Sequence, residues 1–389
     1  MARPSRRRFL GAAGAAGAAA LVSTAGCLRR LQDAATTVEY PDPGPPTYRR
    51  WLPAPGALPG VDRYSASHLR TADLPDDGPV GRAGVGLRNL FARTGRDPLG
   101  VDPRDIEAVV KIDLARATTL LGTFDPEAVG AAAERAGYAG AGADGEFEVY
   151  ERDDRPRAVA VGESAVVQTR SNEDPTAVLG AVLDAGRGEV DRYHEVDERF
   201  ARLSRAAGGA TLAWVHPDGG LEAPESAVGS ASARQFDGET AVFRRLYLFE
   251  AAADASVSAV RDAAADSFPR GASIDASVDG RMGRFDAARE AGESVDEPVV
   301  LQPVVAWAFD AGDGGVTVTH RAGDEVDATR LTLRQRSGPT DAQFADHHET
   351  VGPGDAVTVA VDATTRLRVV WSAGDSTATL SVYREPDDG

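Results

Sequence analysis

Apolar and polar positions change rhythm four times along the chain, and each rhythm predicts a different structure. Residues 9–25 are apolar or small and carry no charge, directly after the basic run Arg6-Arg7-Arg8. Residues 28–60 lose all periodicity and gather Pro41, Pro43, Pro45, Pro46, Pro53, Pro55 and Pro59, which predicts a semi-rigid, polyproline-like tether. From about Val61 to residue 292 the pattern mixes periods of two and of three to four. After about Pro298 only short alternating runs remain.

In the mixed region, Val109, Val110, Ile112 and Leu114 begin a strand expected to continue to Phe124. Asp125-Pro126-Glu127 then opens a helix: Asp is a good N-cap, Pro suits the first helical position, and Glu complements the first turn. That helix stops at Gly137. Residues 147–150, 158–161 and 165–169 read as strands, the last two a hairpin around Gly162-Glu163-Ser164. Asp174-Pro175 opens a second helix with Val178, Leu179, Val182 and Leu183 on one face, and 192–206 reads as a further polar helix. The theme then recurs as a strand at 210–215, a hairpin about Asp237-Gly238, a helix at 254–266 and a strand at 274–285. The expected fold class is therefore α+β, with two ferredoxin-like α+β halves at 61–207 and 208–292. Runs at 304–309, 316–320, 331–334, 357–361, 367–371 and 378–383, separated by turns, predict an Ig-like β-sandwich over 298–385.

The first 27 residues have the order of a secretory signal: a basic start, an apolar stretch, and small residues before a cysteine. The apolar stretch is about 17 residues and mostly Ala and Gly, a poor permanent span. Cys27 is the only cysteine, so no internal disulfide is possible. Arg6 and Arg7 before Phe9-Leu10 resemble a twin-arginine (Tat) export motif. Thr24-Ala25-Gly26-Cys27 resembles the lipobox of bacterial and archaeal lipoproteins, with Thr24 standing where Leu is commonest. The resemblance implies a Tat signal peptide over 1–27, with Cys27 alkylated by a glyceryl lipid and becoming the new N-terminus. Two hydrocarbon chains suffice to hold a protein on a bilayer where one is marginal.

Charge sharpens this picture. Asp and Glu number 60 against 42 Lys and Arg, a formal net charge of -18, and Lys111 is the single lysine. Such a composition resembles that of haloarchaeal proteins, which work in molar salt where the Debye length is about 3 Å and self-repulsion is screened. Nucleic-acid binding is disfavoured, because it requires a basic surface to neutralise phosphates. Parts of 51–290 are similar to uncharacterised haloarchaeal lipoproteins, which brings no activity. The end of the chain resembles the β domain of haloarchaeal pilin-like proteins. The resemblance rests on Phe309-Asp310, Val316-Thr317-Val318-Thr319-His320, Gly323-Asp324, Asp327-Ala328, Gly354-Asp355 and Val369-Val370-Trp371 with Ser376 to Leu380. A pilin polymerises through a long apolar N-terminal helix, and a lipid signal stands in that place here. The resemblance thus implies a shared surface module.

No set of residues converges on catalysis. Gly162-Glu163-Ser164 lacks the second glycine of a nucleophile elbow. His68, His194, His216, His320 and the pair His347-His348 are scattered, without metal-ligand spacing. Asp310, Asp313 and Asp324 lie near turns and by ligand type would suit a loose calcium site, but they miss the EF-hand pattern, and Asp in turns is common for backbone reasons alone. No P-loop or dinucleotide fingerprint is present. The expectation is a non-enzymatic, lipid-anchored protein on the outer face of the cytoplasmic membrane, without metal, cofactor or catalytic residues. Its expected partners are the membrane, through the lipid on Cys27, the Tat translocase during export, and an envelope protein or surface glycan. The alternative is a solute-binding lipoprotein with a ligand cleft between the α+β halves.

Overall fold

Strands alternate their side chains between two faces, so a strand whose buried positions are consecutive must be covered on both sides. Ala66–Arg70 (β1) is such a strand, and its position decides the architecture. A computed structural model describes residues 38–74, 97–113, 116–171, 174–220, 223–237, 240–265, 273–290, 302–312, 314–360, 366–374 and 376–384. The expected signal peptide at 1–27, with Arg6, Arg7 and Cys27, lies outside the described residues.

The body is one twelve-stranded antiparallel sheet. Beyond β1 its strands are Ile106–Ile112 (β2), Ala117–Gly122 (β3), Ala139–Asp144 (β4), Phe147–Arg152 (β5), Arg157–Val161 (β6), Ala165–Arg170 (β7), Leu212–His216 (β8), Ala227–Asp237 (β9), Thr240–Phe249 (β10), Ser273–Asp279 (β11) and Met282–Glu290 (β12). The spatial order is β11-β12-β10-β9-β8-β1-β2-β3-β7-β6-β5-β4. This corrects the expectation of two ferredoxin-like halves. β1 pairs with β2 on one side and with β8 on the other, welding both segments into a single sheet. Two single-strand expectations are hairpins instead. Residues 109–124 turn at Asp113, the one non-glycine residue with positive φ (44°) among those described, and 274–285 turn at Gly280 (φ 57°).

Each flank of the sheet is built by the same device. From β3, helix Pro126–Arg135 (α1) crosses to the edge strand β4, and β5, β6 and β7 return to pair with β3. From β10, helix Val257–Ala265 crosses to the other edge strand β11, and β12 returns to pair with β10. Asp125 accepts hydrogen bonds from the amides of Glu127 (3.1 Å) and Ala128 (3.3 Å). Asp174 does the same for Ala177 (2.9 Å) and starts helix Pro175–Arg187 (α2), which ends at Gly188 with φ 81°. The edge β4 contains a bulge between Gly140 and Gly142, where Gly142 has φ 117°.

Both sheet faces are covered. On one, α2 and helix Glu198–Ala207 (α3) pack over Ala66, Val110, Ile112, Ala158, Ala160, Val167, Ala213, Val215, Ala231 and Ala233. The many alanines let helix and sheet approach closely. On the opposite face, α1 packs with Leu69, Val109, Leu120, Val159, Val161 and Val166, joined by Ala306 and Ala322 from the end of the chain.

The proline-rich stretch belongs to this body from Val38 onward. Tyr48, Trp51, Leu52 and Leu58 are buried in the first core. Ala54 donates to the Asp191 carbonyl (2.8 Å), and the Leu52 carbonyl accepts from Tyr193 (2.9 Å). A β-carbon on Gly186 would lie 2.6 Å from the Trp51 ring, so glycine is what admits the indole. Proline here fixes an ordered strap over α2 and α3.

After residue 302 the chain forms three small antiparallel sheets around one separate core. One joins Val305–Gly312, Gly315–Gly323 and Ala356–Val359. The second joins Val326–Asp327 and Thr350–Val351. The third joins Gly338–Pro339, Leu331–Gln335, Arg366–Ala373 and Ser376–Arg384. Trp307, Phe344, Leu333, Val369 and Trp371 fill that core. The expected Ig-like sandwich is thus replaced by a three-sheet unit, in which Val326–Asp327 and Thr350–Val351 pair only with each other and form a sheet of their own.

Replacing Trp51 by Ala should destabilise the body by about 3–5 kcal/mol, as for other large buried aromatics. Denaturant unfolding would measure it, and a change within the error of the midpoint would mean that 38–60 is only loosely attached.

Candidate functional site

Strand register assembles a polar row that no local motif encodes. Arg152 stands opposite Arg157, and Arg157 opposite Arg170. Ala117 stands opposite Thr169, and the Arg170 amide donates to the Arg116 carbonyl at 2.9 Å, so Arg116 is next in line. Asp113 follows, since Ile112 pairs with Ala117. Ser65 and His216 continue the row just beyond the Ala66–Val215 pair. By strand alternation these residues share the face on which α1 packs.

The arginine end is buried and cross-linked. Asp97 takes a hydrogen bond from Arg157 and another from the Tyr138 hydroxyl (2.7 Å). Gln168 donates to the Tyr138 oxygen (3.2 Å) and accepts from the Asp97 amide (3.2 Å). Arg152 forks onto Asp154 at 2.8 and 2.6 Å, and its remaining Nη1, 3.9 Å from Asp97, has no hydrogen-bond partner. Burial alone would raise the Asp97 pKa, but the charge and hydrogen bond of Arg157, the Tyr138 hydroxyl and Arg152 outweigh it and hold the carboxyl below its ordinary value. Burial, and next the neighbouring Arg157, lower Arg155 and Arg170 to about 10, so both remain charged at neutral pH. Arg155 extends to the terminal unit: its Nη2 donates to the Trp307 carbonyl (3.0 Å) and its guanidinium lies over Phe309, 5.3 Å from the ring centre.

The other end of the row opens to solvent. Gly60, Val61, Asp62, Arg63, Asp113, Arg116 and Asp218 line a cleft of about 610 Å³. Arg116 is 3.7 Å from Asp113, and Arg63 is 3.9 Å from Asp197, both too far for direct hydrogen bonds. Burial raises the Asp113 carboxyl despite a hydrogen bond from the Ser65 amide (3.0 Å). Ser65 Oγ lies 2.8 Å from His216 Nδ1, and burial lowers the pKa of that imidazole. This pair departs from a catalytic triad, in which a carboxylate holds the second imidazole nitrogen. Here Asp113 holds the Ser65 backbone instead.

Other residues singled out in the sequence are dispersed. Gly162-Glu163-Ser164 is the β6–β7 turn, where the Glu163 and Ser164 carbonyls accept from Phe124 (2.8 Å) and Gly122 (3.2 Å). His68 is buried and stacked on Tyr48 with ring centres 4.7 Å apart. His194 sits in the short helix Tyr193–Val196. His320 is buried against Trp307, with Nε2 2.9 Å from the Asp324 carbonyl. His347 and His348 occupy a loop, with His348 3.6 Å from Asp355. Asp313 lies outside the described residues, and Asp324 accepts from the Val304 amide (2.9 Å). Among the described residues, no group of three or more His, Cys, Asp or Glu is placed to hold a metal ion. The arginine row escaped the sequence reading. Its one visible signal was an arginine at or just beyond the end of each successive strand, at 116, 152, 157 and 170, in an acidic chain.

No known protein family matches the chain, and no curated protein sequence matches it. Similar solved structures include crystal forms III, I and IV of TP0453, each 12% identical, with TM-scores of 0.38, 0.39 and 0.37. They cover 61%, 61% and 63% of this chain and 94%, 93% and 96% of their own. Below a TM-score of 0.5 this likeness carries no argument about function.

Two pH effects follow from the buried groups. Asp97 contributes stability that is complete above the ordinary carboxylate pKa near 4 and is lost as pH falls through its lower folded value. Asp97→Asn should flatten that acid limb and cost about 3–5 kcal/mol at neutral pH by stranding Arg157. His68, held at about 3 by burial and then by Arg70, stays neutral when folded while the unfolded chain protonates near 6.5. Stability therefore falls as pH drops from about 6.5 towards 3, and His68→Phe, which keeps a ring against Tyr48, should remove that part of the slope. Denaturant midpoints measured from pH 7 to 3 read both effects; unchanged slopes would contradict them.

Proposed function

We propose that the chain is a Tat-exported lipoprotein, anchored through Cys27 to the outer face of the cytoplasmic membrane, with a non-enzymatic structural or recognition role. The carrying observation is the position of Cys27: the only cysteine, behind an uncharged apolar stretch, and separated only by 28–37 from the first buried residue described, Val38. An extended chain of that length reaches at most about 35–40 Å. The lipid therefore holds the sheet close to the headgroups rather than at the end of a long stalk. The terminal three-sheet unit, fastened by Arg155, Ala306 and Ala322, is the part assigned to an envelope protein or surface glycan.

A second reading, a solute-binding lipoprotein, is favoured by one observation. The open cleft lies beside β1, β2 and β8, at the middle of the sheet where its two flanks meet. A saturable small-molecule ligand for that cleft would move the assignment from the first reading to this one.

Cys27→Ser should leave export intact and abolish lipidation, moving the protein from the detergent phase to the aqueous phase. Mass spectrometry of the mature N-terminus with detergent partitioning tests this. Identical partitioning of variant and wild type would defeat the anchor.

A further inference from the structure

Buried polar groups nearly always have partners, so unpartnered ones that gather in one place need an explanation. They gather where the strap crosses the helices. Arg50 of the strap donates to the Gly186 carbonyl of α2 (3.2 Å), and Arg49 Nη2 donates to the Ala201 carbonyl of α3 (3.0 Å). Pro53 bridges to Arg192, which sets the strap beside the short helix Tyr193–Val196. Among the buried polar atoms without a hydrogen-bond partner are the Tyr48 hydroxyl, Arg49 Nε and His194 Nδ1, all from this crossing. Tyr48 is only 2% exposed, and Arg49 is the charge that bears on its hydroxyl.

The charges at the crossing do not balance. The bond to Ala201 places Arg49 one helical turn before Arg205, and the charge of Arg205 bears on Arg49. Arg49, Arg192 and Arg205 all bear on His194. Glu195 is the one carboxylate that does so, and its Oε2 already accepts from the Arg192 amide (2.7 Å). The next acids along the chain are committed too: Asp197 accepts from the Phe200 amide (2.7 Å), and Glu198 pairs with Arg202 (2.6 Å). Arg192 is spent on the end of α2, where its Nε donates to the Ala185 carbonyl (3.0 Å). Arg205 makes no side-chain hydrogen bond or ion pair among the described residues. Donors without acceptors, with guanidinium charge in excess of carboxylate, define an anion site. Planar guanidinium groups suit an oxyanion, whose oxygens accept paired N–H bonds, better than a halide. Entry is from solvent: Arg205 is exposed on α3, and Arg49 and His194 lie half-buried beside it.

We propose that Arg49, His194 and Arg205 bind an oxyanion of the phosphate class where the strap crosses α3. The phosphate is supplied either free in solution or on a lipid headgroup. This assignment rests on the seat of the strap and stands whether or not Cys27 carries a lipid.

The test uses the full chain. Sodium phosphate is titrated against a sodium chloride control of equal ionic strength, followed by thermal unfolding and calorimetry. In parallel, the full chain carrying Cys27→Ser is co-sedimented with phosphatidylglycerol vesicles and, as the control, with phosphatidylcholine vesicles. Arg205→Gln removes an exposed side chain that holds nothing else, and it should weaken binding at least tenfold. Arg202→Gln, on the same helix but paired with Glu198, should leave binding within twofold of the wild type. A saturable rise in Tm with phosphate that Arg205→Gln loses and Arg202→Gln keeps supports the site with free phosphate as its ligand. The same pattern in the excess binding to phosphatidylglycerol alone supports it with a headgroup as its ligand. The proposal is overturned if neither probe acts beyond its control, if Arg205→Gln responds as the wild type does, or if both variants lose binding equally, which marks general surface charge.

Discussion

The pairing of β1 with β2 on one side and β8 on the other is the constraint on which the molecule depends. It converts two locally folded flanks into one sheet, which then needs cover on both faces. α2, α3 and the strap from Val38 supply it on one side; α1, helix Val257–Ala265 and the terminal unit supply it on the other. The cleft and the polar row also follow from it, since Asp113, Ser65 and His216 are brought into line only when the three strands lie side by side.

Much of the local structure was legible because its chemistry is local. Asp125-Pro126 and Asp174-Pro175 start helices through cap hydrogen bonds between near neighbours, and both appear where the sequence places them. The connection of the flanks was not legible. β1 reads Ala-Ser-His-Leu-Arg, and its serine and histidine disguise a fully covered central strand. His68 is tolerated there because it stays neutral and stacks on Tyr48. Proline gave the other misleading signal. A run rich in proline suits a free spacer and an ordered strap equally, and only the partners of Trp51 and Leu52, distant in sequence, decide between them.

The polar row was hidden for a related reason. Arg116, Arg152, Arg157 and Arg170 each sit at a strand end, where a solvated arginine is unremarkable on its own. Their meeting is a property of register, which depends on the length of every intervening turn. Any residue inserted between β5 and β6 or between β6 and β7 would slide one arginine away from the rest, so these turns constrain the charge arrangement as much as the side chains do.

An open sheet has two margins through which copies of a chain could pair and grow into ribbons. The margins here differ. β11 carries Asp275 and Asp279, which repel an incoming acidic strand. β4 is nearly bare of charge, yet the bulge at Gly140–Gly142 breaks the even spacing of its amide and carbonyl groups. The wide sheet is therefore a poor template for fibrils: one margin is guarded by electrostatics, the other by a fault in its own ladder.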